Sequence, residues 1–202
     1  MVAYPLTFPA SIPLARSAMS LSFLSHVFES QFGQQEKIAT VAEGKADRWE
    51  GEWTTPPLSV DQRDELTAWL VSLEGQLGTF NAFDPDRRIP PSNPGNGLVM
   101  GAGQTGNLLK VDGLPNNTTV LPAGFYFQVG VGFHMAIVDA ITNGSGEVTI
   151  EFEPAMRVSP ADNATVVITN PVLIARVMVD PEWTTGVVIN QPIRIPWKEK
   201  VA

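Results

Sequence analysis

The chain has 202 residues, 44% hydrophobic and 17% charged, which is the composition of one large or two small packed domains rather than of a disordered segment. A formal net charge of −8 argues against wrapping a phosphate backbone, because that task needs clustered Lys and Arg to release counterions. The chain has no cysteine, which excludes a disulfide framework, a thiolate zinc site and a cysteine nucleophile.

Met1-Val2-Ala3-Tyr4-Pro5-Leu6 has no basic region leading into an apolar core, so no signal peptide is expected. No stretch reaches the length of a transmembrane helix, and neither membrane insertion nor a bound cofactor or metal is expected. Seventeen glycines and seventeen prolines punctuate short runs rich in Val, Ile, Phe and Thr, the pattern of a mainly β chain.

In chain order, Met19, Leu21 and Phe23 alternate with Ser20 and Ser22, which predicts a strand with one buried face, continued at Val27 and Phe28. A polar loop at Glu29–Gln35 leads to a strand over Lys37–Ala42, a turn at Glu43–Asp47 and a strand over Arg48–Trp53 that stops before Pro56-Pro57. A helix follows over about 59–75. Ser59 is its N-cap and Gln62 closes a capping box, with Asp61 and Asp64 near the positive end of the helix dipole. Leu66, Trp69, Leu70, Leu73 and Leu77 form one apolar stripe that has to be buried, and Gly75 is the stop. Thr79–Phe83 resumes an extended pattern.

Asp84 to Gly97 is dense in proline, glycine and polar residues and reads as a solvated linker. Beyond it come short strands at Leu98–Met100, Leu108–Val111, Phe125–Val131, His134–Val138, Glu147–Phe152 and Val166–Ile168, with Asn143-Gly144 as the strongest hairpin signal. Their spacing suits a small barrel or sandwich. After Asn170-Pro171, the runs Val172–Val179, Val187–Ile189 and Ile193–Ile195 are too few for a third core and should pair with the first domain. The expected division is therefore 1–94 with 170–202 as one β domain carrying the helix, and 95–169 as a small β-barrel or sandwich inserted into it. The tail from Trp197 to Lys200 is expected to be loose or to dock on a neighbouring subunit.

No set of residues forms a catalytic motif. Gly101-Ala102-Gly103-Gln104-Thr105-Gly106 has dinucleotide-binding spacing, but a strand rather than a helix follows, so a glycine-rich turn is expected. Asp84, Asp86, Arg87 and Arg88 lack the distal acid of a calcium loop. His26 and His134 have no metal-ligand spacing and no nucleophile elbow to serve. Glu151 and Glu153 share a strand face, as a hydrolase cleft would need, without a partner cluster. Asn116, Asn117, Asn143 and Asn163 begin glycosylation sequons that read as turns. Trp49, Trp53 and Trp69 are assigned to the core, leaving Trp183 and Trp197 for an exposed or intersubunit contact. No catalytic, cofactor-binding or metal residue is therefore assigned.

Several of these elements, taken together, resemble the distal tail proteins of long-tailed bacteriophages. They are the Arg48-Trp49 strand, Pro57-Leu58 before the helix, Leu73-Glu74-Gly75 with Gly78-Thr79-Phe80, the Gly101–Gly106 run, Pro122-Ala123-Gly124, and Pro154-Ala155-Met156-Arg157, which is similar to a Pro-Pro-Leu-Arg element of that family. The resemblance spans most of the chain. It implies a tail-tube-like helix-on-sheet domain that forms a ring, hexameric by preference or else trimeric, with a projecting barrel that holds baseplate or receptor-binding parts. The tail tube protein and tail-tip or hub proteins would be neighbours, and the genome would pass through an acidic lumen without specific binding. The expected function is that of a non-enzymatic virion protein at the tail tip. A carbohydrate-binding β-module presenting loops around Phe125–His134, and a hydrolase using Glu151 or Glu153, are the rival expectations.

Overall fold

The computed structural model describes residues 3–23, 28–29, 35–36, 47–87, 89–178 and 191–200. In chain order the elements are β1 (Arg16–Ser22), β2 (Phe28–Glu29), β3 (Gln35–Glu36), β4 (Arg48–Thr54), α1 (Val60–Ser72), β5 (Phe80–Ala82), β6 (Gly97–Val99), β7 (Gly106–Asp112) and β8 (Thr119–Leu121). They continue with β9 (Tyr126–Val129), β10 (Gly132–Ala136), β11 (Ala140–Ile141), β12 (Val148–Met156), β13 (Thr165–Val167), β14 (Leu173–Val177) and β15 (Arg194–Glu199). The described chain is mainly β with a single helix. It divides into two compact units, one of 1–20, 49–88 and 170–202, the other of 21–48 and 89–169.

The first unit is a five-stranded sheet in the order β1-β4-β15-β14-β5. Its central strands come from distant parts of the sequence. Ile195 faces Trp53 across β15 and β4, Val177 faces Trp197 across β14 and β15, and Ala175 faces Phe80 across β14 and β5, all antiparallel. The β5 edge is covered by Leu6, which bridges Phe80 in parallel through hydrogen bonds to Thr79 and from Asn81.

The helix begins where its cap chemistry places it. The Ser59 hydroxyl accepts from the Gln62 amide, and the Gln62 side chain accepts from the Ser59 N–H at 3.1 Å, so the capping box is complete. Ser59→Ala leaves a helix N–H unpaired and is expected to cost about 1 kcal/mol, read as a lower denaturant midpoint by circular dichroism. The last helical residue is Ser72, after which Glu74 and Gly75 both take positive φ, at 50° and 68°. The predicted stripe therefore ends at Leu73. Leu66, Trp69, Leu70 and Leu73 are buried, whereas Leu77, beyond the helix end, is 76% exposed.

The core of this unit is aromatic. Phe8 lies edge-on to both Trp53 and Trp69, at ring distances of 5.0 and 5.3 Å, and Trp69 in turn meets Phe80 at 5.3 Å. The segment before β1, which carries no periodic pattern of its own, seats α1. Thr7 accepts from the Trp69 indole N–H, Ser11 accepts from the Gln62 side chain and its hydroxyl donates to Glu65, and the Tyr4 hydroxyl donates to the Ser72 carbonyl.

The structure departs from several of the expectations. Trp197, assigned to a loose or docking tail, is 0% exposed and meets Trp53 at 6.0 Å, because β15 runs through Pro196 as an interior strand. Met19 and Leu21 are only half-buried on the outermost strand β1, and Phe23 is 58% exposed. Asp84 is buried instead of solvated, accepting from the Asp86 amide at 3.0 Å and facing Arg87 at 3.5 Å. Asp47, just before β4, belongs to the second unit, where its carbonyl accepts from the Arg157 guanidinium. The strands expected at Lys37–Ala42 and Val187–Ile189 lie outside the described residues, as do Val27, Arg88, Trp183 and His26.

The second unit contains a closed six-stranded barrel in the order β10-β12-β7-β6-β13-β9, with β9 and β10 closing it through their own pairing. Alternation along β12 and β7 sends Val148, Ile150 and Phe152, with Leu109 and Val111, into a core shared with Val99, Val120, Leu121, Phe127, Val166 and Ile168. The short pair β8 and β11 and the pair β2 and β3 lie outside the barrel. Asn143 closes the turn into β12, its backbone N–H donating to Glu147 and its side-chain oxygen accepting from Ser145 and Glu147. Asn117 and Asn163 sit at positive φ, 48° and 59°, as turn residues.

Candidate functional site

A buried histidine and a partly buried carboxylate lie where β10 meets β12 in the barrel unit. The β10–β12 ladder pairs Met135 with Glu153 and Ala136 with Phe152. The next position on β12 is Pro154, which has no N–H to offer a neighbour. Its carbonyl accepts from the His134 side chain, Nδ1 lying 2.7 Å from the Pro154 oxygen. Nδ1 therefore carries the proton and Nε2 the lone pair. The imidazole is 3% exposed and wedged between aromatic rings, at 5.3 Å from Phe127 and 4.7 Å from Phe152. Burial is the main reason its pKa falls to about 4, the Pro154 hydrogen bond opposing the shift and the nearby Arg157 charge adding to it. At neutral pH the ring is uncharged.

Glu153 stands on the rung beside it. Its carboxylate accepts from the Asn107 side-chain amide of β7 at 2.6 Å. Partial burial raises its pKa, the Asn107 hydrogen bond works against that, and the charge of Asp47 reinforces it. Arg157 completes the group, its guanidinium donating to the Asp47 carbonyl. The structure thus joins Asn107, His134, Glu153, Arg157 and Asp47 into one polar seam. Only His134, Glu153 and Arg157 drew attention in the sequence, each for a different reason. The missed signal is the proline inside an alternating strand, which marks a local irregularity in the ladder beside His134.

Among the described residues, the other candidates from the sequence do not converge. Glu151 is exposed on the same face of β12 as Glu153, but its side chain has no place in the seam. The Gly101–Gly106 run is a turn, not a phosphate cradle. Gln104 fills it, donating to the carbonyls of Met100, Gly101 and Lys110 and accepting from the Lys110 amide at 2.7 Å, while Gly106 already begins β7. Asp162 fixes the turn from outside by accepting from the Gly101 N–H at 2.8 Å. Near Phe125–His134, Tyr126 and Phe133 are buried and stacked on each other at 5.1 Å. Among the described residues no three metal-ligating side chains come together, and no helix is long and apolar enough to cross a membrane.

No protein-family model matches the chain, and no curated protein matches it.

Proposed function

We propose that this chain is a non-enzymatic virion structural protein that forms a ring at the distal end of a phage tail, linking the tail tube to the tip or baseplate and its receptor-binding parts. One observation carries the reading. The five-stranded sheet takes β4 and β5 from before the barrel strands and β14 and β15 from after them, so the barrel unit is spliced into a unit whose sheet both halves of the chain complete. That is the organisation implied by the distal-tail resemblance. The aromatic contact of α1 with Phe80 of the sheet is consistent with a tail-tube-like, ring-building domain. An excess of acidic residues suits a lumen through which DNA slides without sticking.

The ring is hexameric by preference, with a trimer as the alternative symmetry, and its neighbours are a tail tube protein and tail-tip or hub proteins. Electron microscopy of the purified chain and of isolated tails tests this. Closed rings of six or three subunits around an open lumen are expected, and a uniform monomer in both preparations, at high protein concentration, overturns the proposal.

A further inference from the structure

The geometry points to an acid-operated joint in the barrel wall: the His134 side chain of β10 is tied to the Pro154 carbonyl of β12, so a proton arriving at Nε2 finds no acceptor and parts the β10–β12 seam. The two ring nitrogens have unlike surroundings. Nδ1 is satisfied by the Pro154 carbonyl. Nε2 is buried with no hydrogen-bond partner among the described residues. Backbone closes that side, since a Cβ built on Gly132 would stand 2.5 Å from Nε2. In the neutral ring an unpartnered lone pair costs little. In the charged ring the same atom becomes a buried N–H without an acceptor, in a pocket of Phe127 and Phe152.

The charges around the ring do not relieve that cost. β9 brings Phe127 and β12 brings Phe152 and Pro154, none of them titratable. Arg157, after β12, adds positive charge. Glu153 has committed an oxygen to Asn107, and Asp47 acts on Glu153 and accepts from Arg157 through its carbonyl. Because the folded-state pKa lies below the ordinary histidine value, the unfolded chain takes up the proton first as pH falls. The contribution of a neutral His134 is fully present above about pH 6.5, is lost between there and about pH 4, and changes no further below. With those two values, the folded-to-unfolded ratio of the barrel drops about twentyfold between pH 7 and pH 5 on account of this one group.

The test is imidazole NMR of the full chain through an acid titration, together with hydrogen exchange at the β10 and β12 amides corrected for intrinsic rates. The His134 resonance should keep its neutral position for as long as folded signal persists down to pH 5, while protection at the seam falls about twentyfold. The variant His134→Gln keeps a donor for Pro154 without a titrating ring, and should lose about twentyfold less protection over that range than the native chain. A His134 that titrates near its ordinary value with the barrel intact overturns the inference, as does a His134→Gln chain with an unchanged acid profile. If His134→Gln does not fold, the native titration alone decides.

Discussion

Trp53→Ala is expected to lower the stability of the sheet unit by about 3–5 kcal/mol, the range for removing a large aromatic from a packed core. Trp53 is 0% exposed on β4 and lies within 5.0–6.0 Å, ring to ring, of Phe8, Phe83, Phe80 and Trp197. Its indole N–H donates to the Phe83 carbonyl at 3.3 Å. No single neighbour can fill the space, because each ring is held by a different part of the chain: Phe8 before β1, Phe80 on β5 and Trp197 on β15. Amide exchange at β4 and β15 in increasing denaturant reads the effect. A loss below about 1 kcal/mol would mean that these rings do not pack as one cluster.

The second large effect comes from adding an atom. A Cβ on Gly51 would stand 2.4 Å from Cζ2 of Trp197 and 2.5 Å from the Ala18 carbonyl oxygen. Gly51 faces Trp197 directly across β4 and β15, and the indole occupies the space that a side chain there would need. Gly51→Ala is expected to cost about 1–3 kcal/mol through overpacking. In a double-mutant cycle with Trp197→Leu, the two changes should sum to less than their separate costs, because the smaller side chain vacates the space that the new methyl needs. Strict additivity would show that the Ala18 carbonyl, and not the indole, sets the limit.

These residues mark the boundary of what the sequence disclosed. The capping box was legible because Ser59 and Gln62 act within one turn, where spacing alone brings the groups together. The barrel strands were legible from alternation and turn residues, with β8 and β11 too short to register. Trp197 was misplaced because Pro196 breaks the signature of a central strand, although it faces Glu52 from within one. Leu77 was misplaced because its spacing continued the stripe after the backbone had left the helix at Ser72. The polar seam was hidden for a third reason. His134 and Pro154 are twenty residues apart and meet only through strand pairing, and Asn107 and Asp47 join them from elements still more distant.

The aromatic residues are divided unequally between the two units, with a spectroscopic consequence. Every tryptophan falls within 49–88 or 170–202, and the ranges 21–48 and 89–169 contain none. The four tryptophans among the described residues, Trp49, Trp53, Trp69 and Trp197, belong to the sheet unit, and their emission reports its unfolding. Tyr126 is the barrel unit's sole tyrosine, and its ring lies stacked on Phe133. A tryptophan introduced by Phe133→Trp would give the barrel its own emission, so that two wavelength-resolved transitions, or one shared transition, could be told apart in a single optical experiment.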